Sequence, residues 1–148
     1  MGKVIGIFIS PESDGELVPI NLVEAIAFSG LRGDRNFKES HVAPGHKGAI
    51  TLIDVSQVQA CNHELGTSYQ PHEFRRNLVT EGVDLNELVG REFMIGNVRL
   101  RGYELCQPCG YISKKLGRDL LGPMDRRGGL RCWLLSSGEI KIGDKITV

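Results

Sequence analysis

At 148 residues, with 41 % hydrophobic and 24 % charged residues, the chain has the size and balance of one soluble globular domain, and disorder is excluded. Eighteen Lys and Arg offset eighteen Asp and Glu, so the formal charge is zero. That excludes a protein gripping a nucleic-acid backbone by bulk charge. Nineteen glycines, above the usual share of about 7 %, point to many turns.

In chain order, the apolar run from Gly2 to Ser10 is too short for a signal peptide and reads as a first strand, followed by a loop over residues 11–16. Val18 to Phe28 is a second β-rich run, with Pro19 placed where an edge strand tolerates it. A tight charged turn follows at Gly30-Leu31-Arg32-Gly33-Asp34-Arg35, then a polar stretch from Asn36 to Lys47 and a short buried strand from Ala49 to Ile53. Asp54 or Ser56 is suited to cap a helix over Val55 to Leu65 that Gly66 ends.

A second short helix opens near Pro71, Asn77 to Thr80 reads as extended, and Asp84 to Leu88 makes one helical turn stopped by Gly90. Alternating apolar residues on either side of Gly96-Asn97 predict a β-hairpin over Glu92 to Glu104. A third helix is expected from Gly110 to Leu121, and three strands separated by glycine turns complete a C-terminal meander. Many short strands with about three short helices predict a mainly β domain, a closed or nearly closed barrel rather than a parallel α/β sheet, spanning 1–148 as one unit.

No stretch approaches the ~20 apolar residues of a membrane span. Without a secretory signal a reducing cytoplasm is expected, with free thiols at Cys61, Cys106, Cys109 and Cys132. The sharpest chemical feature is Cys106-Gln107-Pro108-Cys109. If the following helix forms, Cys109 stands at its N-terminus, where unpaired amides favour thiolate over thiol. That would suit a nucleophile or a soft-metal ligand, whereas two small buried apolar residues are the plain alternative. A structural zinc site needs a second ligand pair that the sequence does not offer, since Cys61 and His63 point to different faces of their helix. Arg35, Lys47, Arg75, Arg76, Arg126, Arg127 and Arg131 lie beside glycines or turns, as expected where an oxyanion is held, though any one of them also suits solvent. Signature motifs of P-loop, Rossmann, serine-hydrolase and zinc-protease sites are absent.

Six segments in order resemble the MOSC domain, named for the C-terminal domain of molybdenum cofactor sulfurases. They are Gly30 to Arg35, Phe74 to Val79, Gly90 to Gly96, Cys106 to Cys109, Arg127 to Leu130 and Gly138 to Asp144. The resemblance spans nearly the whole chain and is to a stand-alone member. It implies a β-barrel and a cysteine, here Cys109 with Cys106 as helper, that either carries sulfur as a persulfide or ligates molybdenum. It further implies that Arg35, Arg75 and Asn77 hold the molybdenum cofactor (molybdopterin), with Arg127 added from local chemistry. The larger cofactor-binding relatives have an N-terminal region that helps enclose the pterin, and this chain starts at the barrel.

The partners that follow are a pyridoxal-phosphate-dependent cysteine desulfurase as sulfur donor and, for a molybdenum-bound form, a redox partner, with neither nucleic acid nor membrane. Two rivals stay open: a non-catalytic module that binds an anion or a partner protein, and a dithiol redox switch using Cys106 and Cys109.

Overall fold

The computed structural model describes residues 2–11, 17–34, 50–106 and 126–148. Eleven strands are assigned among them: β1 (Gly2–Ile9), β2 (Val18–Ile20), β3 (Leu22–Ile26), β4 (Gly30–Leu31), β5 (Ile50–Asp54), β6 (Leu78–Glu81), β7 (Glu92–Ile95), β8 (Val98–Leu105), β9 (Leu130–Leu134), β10 (Gly138–Lys141) and β11 (Lys145–Thr147). One α-helix, α1 (Val55–Leu65), and two 3-10 turns, Pro71–Phe74 and Leu85–Leu88, interrupt them. Seven strands close a barrel in the order β1-β6-β5-β9-β8-β7-β11, because β11 pairs with both β7 and β1. β2 flanks the C-terminal half of β1, and β10, β3 and β4 form a separate small sheet.

Alternation along the strands decides which side chains fill the barrel. Leu52 and Leu78 join the main core with Leu100, Leu130, Cys132 and Leu134, whereas their neighbours Ile53 and Val79 turn outward. That outward face is buried as well. α1 lays Val58 and Cys61 over it, together with Phe74. β5 is therefore buried on both sides, which is why it reads as a continuous apolar run. On β1 a bulge between Val4 and Gly6 inserts a residue, so Val4 and Ile7, three apart, both join the main core.

The helix over Val55–Leu65 has the predicted ends. Asp54 caps it through a reciprocal capping box with Gln57, and Gly66 closes it at φ +68°. The hairpin also matches, turning at Gly96 with φ +56°. The segment opening at Pro71 is a 3-10 turn rather than an α-helix. The expected helix over Gly110 to Leu121 falls outside the described residues.

Two features depart from the sequence reading. β5 and β6 are parallel and joined through α1, so one strand-helix-strand crossover is built into an otherwise antiparallel barrel. The C-terminal strands are also not a simple meander. β10 leaves the barrel to pair with β3, and β11 returns to close it. Two serines after β9 redirect the chain: Ser136 Oγ accepts from Arg99 N–H at 2.8 Å, and Ser137 Oγ accepts from Ala27 N–H at 2.9 Å. Among the described residues no helix is long and apolar enough to cross a membrane.

Candidate functional site

The candidate site is organised by the three residues between Phe74 and β6. Arg75 ends the 3-10 turn in the left-handed region at φ +62°, which swings the chain from that turn into the strand. Its Nη2 donates to Ser10 Oγ at 3.4 Å, just past the end of β1. Ser10 is fully buried, and its backbone N–H donates to Asp34 Oδ1 at 2.9 Å. The Gly33-Asp34 turn is thereby fastened next to Arg75, although Arg35 itself lies outside the described residues.

Asn77 points elsewhere. Its Oδ1 accepts from Thr51 N–H at 3.1 Å and from Thr51 Oγ1 at 3.3 Å, and its Nδ2 donates to the Phe8 carbonyl at 3.2 Å. Its backbone N–H donates to Thr51 Oγ1 at 3.1 Å, and its carbonyl accepts from Phe8 N–H at 2.7 Å. Asn77 therefore stitches β1, β5 and β6 together at one end of the barrel, and its acceptor oxygen is already engaged. Asn77→Ala is expected to lower stability by about 2 kcal/mol, because Thr51 N–H loses its acceptor in a partly buried place. Urea unfolding checks this; an unchanged midpoint would leave Asn77 with no bracing role.

Arg76 lies between these two and turns to the third element, donating from Nε to the Gly128 carbonyl at 2.8 Å. Gly128 and Gly129 are glycines for a steric reason. A Cβ on Gly128 would stand 2.0 Å from the Cys106 carbonyl oxygen, and one on Gly129 would stand 2.0 Å from the Leu52 carbonyl oxygen. The latter residue also has φ +101°. Cys106, immediately after β8, donates its N–H to the Gly129 carbonyl at 2.8 Å and is only 1 % exposed. Burial pushes its thiol up from the usual value, opposed first by Arg76 and then by Arg131, while Glu104 adds to the rise. Cys61, Cys106 and Cys132 are free thiols. Cys109 lies outside the described residues.

Arg127 turns toward α1. Its Nη1 pairs with Glu64 Oε1 on α1 at 3.1 Å, and it lines an open groove of about 900 Å³ between the start of α1 and residues 81–86. The structure thus joins Arg75 to the Gly33-Asp34 turn through Ser10 and links Cys106 to the same stretch through Arg76, whereas Asn77 turns to Thr51 and Phe8 and Arg127 turns to the helix. Sequence reasoning did not single out Ser10, Asp34 or Thr51 as site residues, since their partners lie 24 to 65 positions away. Asp34 alone carried a local signal, as the middle of the Gly-Asp-Arg motif. Among the described residues no cluster of His, Cys, Asp and Glu could hold a metal ion.

Solved structures share this fold. The YUAD protein from Bacillus subtilis aligns with a TM-score of 0.82 and 17 % identity, covering 99 % of this chain and 94 % of that one. YiiM from Geobacillus stearothermophilus gives 0.72 and 17 % over 99 % and 74 % of the two chains, and YiiM from Escherichia coli gives 0.71 and 15 % over 98 % and 68 %. A search of curated proteins finds no match. The family model of the MOSC domain matches residues 39–147, about three quarters of the length. With a barrel of that architecture and a match of that extent, the chain belongs to the MOSC domain family, which is linked to molybdenum-cofactor biology.

Proposed function

We propose that this protein carries sulfur for molybdenum-cofactor chemistry, with Cys109 as the carrying residue. The observation that supports the reading is the reach of the Arg75-Arg76-Asn77 stretch. It contacts Ser10, which holds the Gly33-Asp34 turn, and it also contacts the Gly128 carbonyl beside Cys106. Four of the six motif segments are thereby joined by one short stretch of chain.

In the transfer, the Cys109 thiolate attacks the outer sulfur of a persulfide on a pyridoxal-phosphate-dependent cysteine desulfurase. A new S–S bond forms on Cys109 as the donor's S–S bond breaks, and the donor cysteine leaves as its thiolate. Nothing is oxidised overall, because the sulfur moves with its oxidation state unchanged.

The described residues suit the anionic end of a pterin cofactor. Among the described residues the Arg75 guanidinium makes one long contact, to Ser10 Oγ, which leaves N–H groups for a phosphate, and Arg35 follows Asp34 directly in the chain. Asn77, with its oxygen occupied by Thr51 and its amide nitrogen on the Phe8 carbonyl, braces the strands beneath Arg75 rather than accepting from a ligand. A bound cofactor would supply the metal centre that receives the sulfur.

Incubating the protein with such a desulfurase and L-cysteine is expected to add about 32 Da, one sulfur atom, to its intact mass, and thiol reduction should remove it. A sulfinic acid adds nearly the same mass but survives the reductant. Cys109→Ser should take up nothing and Cys106→Ser should still load. An adduct on Cys109→Ser, or none on the unaltered protein, overturns the proposal. A reversible Cys106–Cys109 disulfide in place of the adduct would assign the dithiol switch.

A further inference from the structure

Arg76 is half-buried, and among the described residues what it touches does not neutralise it. Its Nε–H donates to the Gly128 carbonyl, and its Nη2 stands 3.6 Å from where a Cβ on Gly128 would be. Gly128 in turn rests against the Cys106 carbonyl, and Cys106 N–H is bonded to Gly129. Guanidinium, glycine pair and cysteine form one packed unit. Among the described residues no carboxylate lies within ion-pair distance of Arg76. Withdrawing a guanidinium from water without a counter-charge is costly, and a neutral amide side chain could donate the same bond to Gly128. The charge therefore calls for a use of its own.

Among the described residues three segments supply the ionisable groups around Cys106. The lead-in to β6 supplies Arg76, β8 supplies Tyr103 and Glu104, and β9 supplies Arg131 and Cys132. Arg131 and Glu104 pair with each other at 3.2 Å, so their charges offset. Burial pushes the Tyr103 phenol up to about 12 and lifts the Cys132 thiol well above its usual value, which keeps both neutral where an ordinary thiol ionises. Among the described residues Arg76 is left as the cation beside Cys106 with no carboxylate partner, packed on it through Gly128, and it opposes the effect of burial more strongly than Arg131 does.

We propose that Arg76 is the positioning residue at the sulfur end of the site: it pins Gly128 against Cys106 and supplies the positive charge that stabilises anionic sulfur there. The ionisation it favours is simple loss of the Cys106 proton to solvent. Its use in sulfur transfer rests on the carrier reading, with Cys106 as the helper thiol, but its measurement does not.

The test titrates Cys106 by thiolate absorbance near 240 nm in a Cys109→Ser background, subtracting the Cys106→Ser/Cys109→Ser protein so that other thiols and tyrosines cancel. Arg76→Gln keeps an N–H donor for Gly128 and removes the charge. It should raise the Cys106 midpoint by about one pH unit or more, and Arg76→Lys should restore most of that shift. A clamp acting only through its hydrogen bond predicts that glutamine leaves the midpoint alone, and a folded Arg76→Gln with an unmoved midpoint overturns the proposal. Should Arg76→Gln fail to fold, Arg76→Lys alone decides. A midpoint held at the unaltered value supports the charge; a midpoint raised by a full unit, or a chain that also fails to fold, overturns it. Failure of Cys109 to load sulfur would sink the carrier reading and leave this titration standing, since the titrated protein has no Cys109.

Discussion

Gly129→Ala is expected to destabilise the fold by about 3 kcal/mol or more, a large share of the roughly 5–15 kcal/mol that holds a domain of this size together. Two effects combine. At φ +101° a side chain is strained by roughly 1–2 kcal/mol, and the new Cβ would stand 2.0 Å from the Leu52 carbonyl oxygen and 3.4 Å from Ile53 Cα. Both neighbours are backbone of a strand buried on two faces, so neither can swing aside as a surface side chain would. Gly66→Ala is the control: it has φ +68°, but nothing lies within 4 Å of its Cβ position, so only the backbone strain of about 1 kcal/mol remains. Urea denaturation of the two variants separates the contributions. Equal losses would mean that the close approach of Gly129 to β5 carries no cost.

Asp54→Ala should be comparably damaging, at about 3 kcal/mol. This carboxylate is 1 % exposed and gathers four donors from three residues. Oδ1 accepts from Thr80 Oγ1 at 2.6 Å and Val83 N–H at 3.2 Å. Oδ2 accepts from Ser56 Oγ at 2.7 Å and Ser56 N–H at 3.2 Å. Hydrogen bonds to a charged acceptor are each worth about 1.5–3 kcal/mol, but they are not additive, and alanine strands all four donors together. Asp54→Asn keeps one acceptor oxygen and should lose about half as much, measured by the same unfolding curves. An alanine variant no weaker than the asparagine one would show that the negative charge and the second oxygen contribute nothing.

Asp54 also illustrates how far the sequence could be read. Its role as a cap was legible because a capping box is local: Asp54, Gln57 and Gly66 stand at fixed offsets around an apolar helix face. Its bonds to Thr80 and Val83 were not, since they depend on β5 lying parallel to β6. The same division runs through the molecule. The hairpin at Gly96 and the doubly buried run of β5 are written in adjacent residues, whereas the departure of β10 toward β3 depends on serine hydroxyls that bond to backbone 37 and 110 positions away.

In the candidate site, the motifs marked Arg75 and Asn77 alike, yet their side chains do different work. Arg75 reaches Ser10 at the end of β1, while Asn77 spends its amide oxygen on Thr51, a residue with no motif of its own. Arg76 could be read only as one basic residue among several, because what distinguishes it is its contact with Gly128, 52 positions on.

The seam of the barrel has a kinetic consequence. Gly2 and Lys3 are matched with Ile146 and Lys145, so the wall is completed by the two strands most distant along the chain. Pairings of such span form late, after shorter-range hairpins such as β7–β8 have had time to zip. Until then the edges of β1 and β7 that β11 will cover present unmatched amides and carbonyls, the surface on which one molecule templates another. Slow refolding with concentration-dependent losses is the behaviour expected of a ring whose seam joins β1 to β11.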